Sequence, residues 1–237
     1  KKLNKDFYVG YSPERINPGD KTNNINNVTK IISSSNKESL YLMKKIYSKV
    51  CKKLHLAESI EVAEGAKVIE NIQRDINIAL MNELSIGFSR LEINFNDVLK
   101  AANTKWNFLD FKPGLVGGHC IGIDPYYYLY KLKQVNFSSK LISNARIIND
   151  SYHIEIRDKL IKNYFTKKQA LSKKVIILGF TFKENVNDIR NTRTYYLYKE
   201  LTKYFKLVDV YDPLVDKNLV KKVYGINIVP NLNKKYD

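Results

Sequence analysis

The sequence predicts an α/β protein built around one long helix. Three observations carry that reading. A helical apolar period runs unbroken over residues 62–90. A strand–helix–strand order follows over residues 174–213. Between the two, the spacing of apolar residues switches from helical to strand-like. At 237 residues the chain has room for one large domain or two small ones, each with its own core.

The elements read as follows. Phe7-Tyr8-Val9 is strand-like, and residues 1–30 then become loop, with turn signals at Ser12-Pro13-Glu14-Arg15 and Asn17-Pro18-Gly19-Asp20. Residues 37–54 read as a helix, with Leu40, Met43, Ile46, Tyr47 and Val50 at helical spacing. In the long helix, Ala66, Ile69, Ile72, Ile76, Ala79, Leu80 and Leu84 make an apolar stripe. Lys67, Asn71, Asp75 and Asn82 fall on another face. A short helix spans residues 96–102, with Asp97 in its first turn, where a carboxylate suits the helix dipole. Residues 103–125 are loop. Residues 126–168 are mostly helical, with Ile142, Ala145, Ile148 and Asn149 near one face. Lys174–Phe180 is a buried strand entering a glycine turn, residues 192–205 a helix, and Leu207–Pro213 a second strand. That order suggests a doubly wound domain, and the chain stops before its sheet is complete.

Hydrophobic residues make up 44% and charged residues 27%, ordinary for a globular protein. No apolar run approaches the roughly 20 residues that span a bilayer, so no membrane partner is expected. The start carries neither a secretory signal nor an initiator Met. Cys51 and Cys120 lie in different settings and read as free thiols in a reducing, cytoplasmic compartment. With three scattered histidines they make no metal-ligand spacing. The net charge of +16 raises the question of nucleic acid. The lysines, however, are scattered as pairs and form no arginine-rich stripe. The chain is also rich in Asn, Ile, Lys and Tyr, the mixture A+T-rich codons produce. Codon bias with attraction for an anionic small substrate accounts for the charge, and no nucleic-acid partner is expected.

The run from Gly114 to Tyr127 is the most informative stretch. It sets Cys120 after Gly117-Gly118-His119 and four residues before Asp124. Glycine pairs let a backbone turn sharply and let a ligand come close. A thiol there is open to substrate, whereas a thiol on a helix face is usually inert packing. A structural thiol in a tight loop is the alternative. Lys67 and Asn71 are one helical turn apart, so their side chains point the same way. An ammonium and an amide so aimed suit a developing oxyanion, and a solvated helix face is the alternative. His119 is adjacent to Cys120 and reads as a hydrogen-bonded loop residue, not a base. Trp106 and Tyr126-Tyr127-Tyr128 read as packing. Asp212 ends a strand before Pro213 and reads as a turn carboxylate.

Four blocks together resemble the UDP-glucose/GDP-mannose dehydrogenase family. They are Ser12-Pro13-Glu14-Arg15, the run Ala63–Asn71, Gly117-Gly118-His119-Cys120 with Asp124-Pro125, and Leu178–Lys183 with Asp188 and Arg190. Asn107-Phe108 through Tyr127, and Ala145-Arg146 with Asn149-Asp150, look more like the branch acting on UDP-N-acetylhexosamines than the UDP-glucose branch. The resemblance implies a remnant of a first Rossmann-like domain over residues 1–61. It implies a helical, dimer-forming and substrate-binding middle over 62–170 and a partial UDP-binding Rossmann-like domain over 171–237. It implies a homodimeric enzyme of polysaccharide biosynthesis that oxidises a sugar C6 alcohol to a carboxylate with two NAD.

Residue by residue, the resemblance makes Cys120 the nucleophile and Lys67 with Asn71 the oxyanion donors. Asp124 holds water or assists proton transfer, and Glu14 activates water for thioester hydrolysis. Lys183 meets the UDP-sugar and Arg190 the phosphates of the NAD cofactor. Arg15, Arg146 and Gly117 are further substrate contacts. No Gly-x-Gly-x-x-Gly occurs in the sequence, so the expectation is a chain without the family's NAD site, cut at both ends. The alternatives are a UDP-glucose 6-dehydrogenase of the same family and a non-catalytic basic nucleic-acid-binding module.

Overall fold

A computed structural model describes residues 1–16 and 22–237. The turn signal at residues 17–20 lies outside the described residues. The chain divides into two compact units, Lys1–Asn71 and Ile72–Asp237. No helix among the described residues is long and apolar enough to cross a membrane.

The first unit holds a three-stranded sheet in the order β1-β2-β3. Strand β1 (Gly10–Tyr11) runs antiparallel to β2 (Lys30–Ser34), pairing Tyr11 with Ser33. Helix α1 (Lys37–Tyr47) returns the chain to β3 (Leu54–Leu56), which runs parallel to β2. Asn36 caps α1, its side chain accepting from the Ser39 amide at 2.9 Å. The helix expected over residues 37–54 therefore stops at Tyr47. Helical spacing continues to Val50, but Leu54, His55 and Leu56 pair with Lys30, Ile31 and Ile32. That long-range pairing outweighs local propensity. A small core joins Ile31, Ala57 and Ala63, with Tyr11 and Ala66 packed on it.

Helix α2 (Ile60–Arg90) is the expected long helix, shared between the two units. Its burial follows the expected faces only in part, for Ile72 and Ala79 of the apolar stripe are buried. Ile69, Leu80 and Leu84 of the apolar stripe are exposed. Asn71, Asp75, Asn82 and Ser85 are buried, Asp75 and Asn82 completely. Spacings of four, seven and three residues put these four polar side chains on one face.

The second unit continues with α3 (Phe95–Ala102), α4 (Asp124–Gln134), α5 (Lys140–Tyr164) and α6 (Lys167–Ala170). Phe95, Leu99 and Met81 close one core. Strand β4 (Lys174–Leu178), α7 (Thr194–Leu201) and β5 (Leu207–Tyr211) form the expected βαβ segment. The strands are parallel, from Lys174 opposite Leu207 to Leu178 opposite Tyr211. Helix α8 (Lys217–Tyr224) follows. Phe180, Val210, Val220 and Ile228 fill one side of this sheet, and Leu197, Leu201, Phe205 and Val208 the other. Each such side chain contributes about 1.5–3 kcal/mol when fully buried. This frame fixes the connection from β4 to α7, which reaches the cysteine loop.

His153 on α5 packs beside the Tyr196 ring at 5.8 Å, and its buried Nδ1 has no hydrogen-bond partner among the described residues. Burial lowers its pKa below 6.5, aided by Arg193 and Arg157 and opposed by the Asp150 backbone and Glu200. The folded state thus favours neutral imidazole, and the unfolded chain takes the proton first. Stability is full above the unfolded value of 6.5 and falls as the pH drops through the lower folded value. Urea midpoints at about pH 7.5 and about pH 5.5 check this: His153→Gln should lose less stability across that interval than the native protein does.

Candidate active site

The loop before α4 is held by buried polar groups of the second unit. Arg146 on α5 is 2% exposed and meets Asp75 of α2 at 2.5 Å and Asp150, one turn on, at 2.5 Å. Asn149 donates to the Asp75 carboxylate at 2.7 Å and to its backbone carbonyl at 2.9 Å. Burial pushes the Asp75 carboxyl up, while Arg146 and Asn149 pull it back. Asp150 also accepts from Tyr126 of α4 at 2.6 Å and from Arg193 at the start of α7. The Arg146 guanidinium lies over the Tyr126 ring, 5.6 Å from its centre. Arg146, expected to touch substrate, is enclosed by these partners, and its charge orders the helices that supply them.

Asn82 extends this network to the loop. It donates to Asn149 at 2.9 Å and clamps Gly114 through both amide groups, at 2.8 and 3.1 Å. The chain then runs to Gly117 and Gly118 against the connection between β4 and α7. A Cβ at Gly117 would come 2.9 Å from the Asn191 carbonyl oxygen and 3.0 Å from Phe182 Cβ. Gly118 has φ +84°, and a Cβ there would reach the Phe182 ring at 2.9 Å. The glycine pair is thus required by close approach and by a left-handed backbone.

Cys120 follows as a free, partly exposed thiol. Its carbonyl accepts from the amides of Ile123 and Asp124, at 3.0 and 2.9 Å, which turns the chain into α4. Asp124 and Pro125 open that helix, positions that suit a carboxylate and a proline. The His119 ring meets Phe182 edge-on at 6.5 Å, in place of the expected hydrogen bond among the described residues. Trp106, expected as packing, is 92% exposed, and Tyr127 is exposed as well.

Arg190 stands in the same connection, exposed, with Nε and Nη2 on the Asp188 carboxylate at 2.5–3.0 Å. Those bonds from Arg190 hold Asp188 below the usual carboxylate range. They also raise Arg190 above its ordinary value, and the field of Cys120 adds to that rise. Lys183 is half-buried, and its carbonyl accepts from the Thr181 hydroxyl at 2.8 Å.

The first unit carries the other expected residues. Glu14 is exposed, accepts from the Ile16 amide at 2.6 Å and lies 3.9 Å from Lys30. Lys30 is itself buried and donates to the Pro13 carbonyl at 2.8 Å, a role the sequence reading missed. Arg15 is paired with Glu70 at 2.8 Å and donates to the Thr29 carbonyl at 2.7 Å. These contacts give Arg15 a part in holding the unit together. Lys67 is half-buried and Asn71 buried, so Asn71 is not on the solvated helix face that was the alternative.

The turn after β4 does not offer free amides to the pyrophosphate of NAD. After β4 the amides of Phe180 and Thr181 donate to Asp212 at 2.7 and 3.3 Å. Turn amides of this kind receive phosphate in dinucleotide sites. Here the chain's own carboxylate takes that place, and Asp212 also accepts from Leu214 at 2.8 Å as the expected turn residue. Asn191 and Arg193 were the contributors least visible in sequence, because their partners lie dozens of residues away.

Two outcomes follow from this geometry. Cys120 is partly exposed and Cys51 is 5% exposed, so limited alkylation with peptide mapping should label Cys120 first. Gly117→Ala should cost about 1–3 kcal/mol of overpacking, because backbone stands in the way. Gly114→Ala, with nothing within 4 Å, should stay within about 0.5 kcal/mol. Urea denaturation of the two variants measures the difference.

The model for the UDP-glucose/GDP-mannose dehydrogenase family central domain matches residues 61–151, and that for the family's UDP binding domain matches residues 176–237. The UDP-N-acetyl-D-glucosamine 6-dehydrogenase of Salmonella typhi is 52% identical over 226 residues, covering 94% of this chain and 53% of that protein. Protein CapL of Staphylococcus aureus is 51% identical over 229 residues, covering 95% of this chain and 54% of that protein. Among solved structures, the UDP-N-acetyl-mannosamine dehydrogenase Cap5O of S. aureus superposes with a TM-score of 0.75 at 32% identity, over 91% of this chain and 51% of that one. The NDP-N-acetyl-D-galactosaminuronic acid dehydrogenase of Methanosarcina mazei Go1 gives 0.83 at 25% identity, over 98% and 51%. The chain spans about half the length of the curated relatives it matches. With both domain models in order along the sequence, the chain belongs to the UDP-glucose/GDP-mannose dehydrogenase family.

Proposed function

We propose that this chain is the substrate-handling part of a UDP-N-acetylhexosamine 6-dehydrogenase, an NAD-dependent enzyme that works as a homodimer in the cytoplasm. The observation that carries the reading is Cys120. It is a partly open thiol in a loop held by residues of both matched family domains. The relatives named for UDP-N-acetylhexosamines support the choice of sugar.

The chemistry of such a thiol is defined. An alcohol oxidised twice passes through an aldehyde that must be retained. The Cys120 sulfur adds to the aldehyde carbon, and the carbonyl oxygen becomes the hydroxyl of a thiohemiacetal. Loss of a hydride and of that hydroxyl proton leaves a thioester. Water then breaks the carbon–sulfur bond, releasing the carboxylate and the thiol. Covalent capture divides one hard step into easier ones. Lys67 and Asn71 serve the oxyanion as paired donors. Glu14 takes a proton from the hydrolytic water, and Asp124 holds water or assists proton transfer. Lys183 engages the UDP-sugar, and Arg190 suits a phosphate of the cofactor. Arg15 and Gly117 remain assigned to the substrate side. The hydride acceptor is NAD in this reading.

The test uses the complete enzyme carrying this sequence. Cys120→Ser should abolish uronate formation from a UDP-N-acetylhexosamine, and UDP-glucose should be the poorer substrate. Glu14→Gln keeps the shape but takes no proton, so single-turnover traces should show hydrolysis slowed more than the first hydride step. Full uronate production by Cys120→Ser would overturn the assignment.

A further inference from the structure

The backbone leading to Cys120 is gripped by side chains, with no neighbouring strand among the described residues. Three alternate carbonyls are held. Gly114 accepts from Asn82 Nδ2 at 3.1 Å, Val116 from Arg193 Nε at 3.4 Å, and Gly118 from Asn191 Nδ2 at 3.3 Å. Asn82 lies in the central-domain match, and Asn191 and Arg193 lie in the UDP-binding match. The cysteine loop is therefore fastened to both.

Each donor is itself fixed. Asn82 is completely buried and tied to Asn149. Arg193 is anchored on Asp150 and stacks on Tyr196 at 5.2 Å. Asn191 holds a left-handed backbone, φ 50°, which costs most residues energy and which asparagine tolerates. Its carbonyl oxygen and side chain both face the glycine pair. The same connection carries Lys183 and Arg190, so displacement of this segment displaces Gly118 and the thiol two residues on.

We propose that Asn82 and Asn191 are positioning residues for Cys120, and that Asn191 transmits the state of the UDP-binding segment to the cysteine loop. The inference rests on Cys120 being the nucleophile only for its catalytic consequence. The grip itself is read from the thiol. Asn191→Gly is the informative variant, because glycine keeps the positive φ and removes the amide.

In the complete enzyme, Cys120 of Asn191→Gly should alkylate roughly three-fold faster or more, through local opening of the loop. The Cys51 rate and the urea midpoint should stay at native values. Turnover with a UDP-sugar should fall roughly ten-fold or more at little change in KM, since small misplacements of a reacting group cost up to ~10²-fold. Saturating UDP should change the Cys120 rate in the native enzyme and change it less in Asn191→Gly. An unchanged Cys120 rate overturns the grip, as does a Cys51 rate rising in step with a lowered urea midpoint. An equal or absent UDP effect in both proteins overturns the transmission. Full activity of Cys120→Ser alongside a faster Cys120 in Asn191→Gly overturns the nucleophile assignment alone.

Discussion

Arg146 brings a guanidinium into a site where its side chain is 2% exposed, and a charge so placed must be paired. The structure answers with Asp75 on one side and Asp150 on the other, and with Asn149 to bind the first carboxylate. Removing one partner of such a pair costs about 3–5 kcal/mol, because the other charge is left buried and alone. The helices that supply these groups are therefore held in one register. Helix α2 gives Asp75 and Asn82, α5 gives Arg146, Asn149 and Asp150, and α4 gives Tyr126. Apolar packing of similar volume stabilises as well and specifies less. The polar cluster has a geometric demand at every bond, and the cysteine loop hangs from it at Gly114.

The loop is thus placed from below by Asn82 and from the side by the segment between β4 and α7. Its two glycines answer the second constraint. Phe182 and the Asn191 backbone come so near that a Cβ has no room at Gly117. Arg193 then joins the two constraints, because its guanidinium touches Asp150 and the Val116 carbonyl together. Cys120 gains a defined position without being buried, the combination that reactivity toward a bound substrate requires.

Much of this was legible in the residues. The long helix, the parallel βαβ segment and the glycine–cysteine loop all announce themselves through local period or turn chemistry. The end of α1 did not, because Leu54–Leu56 becomes a strand only when β2 lies beside it. Asp75 and Asn82 were set on a face apart from the apolar stripe, yet Ile72 and Ala79 of that stripe are buried at helical spacing from them. That this face is buried depends on Arg146 and Asn149, some seventy residues away. A single sequence shows polarity, and polarity usually means solvent. The pairing that reverses it is non-local and leaves no mark on spacing.

The βαβ segment of the second unit has the strand–turn–helix order on which nucleotide sites are built, yet its first turn is closed from within. Asp212 occupies the amides after β4. A carboxylate already seated on those amides repels an incoming phosphate and denies it donors. Topology alone therefore does not make this turn a phosphate site. In the second unit the cations suited to an anionic ligand stand instead on the long connection between β4 and α7, as Lys183 and Arg190. That connection is also what touches the cysteine loop. Two cations and the contact to the glycine pair are thereby carried by one segment, and from it Asn191 meets both glycines.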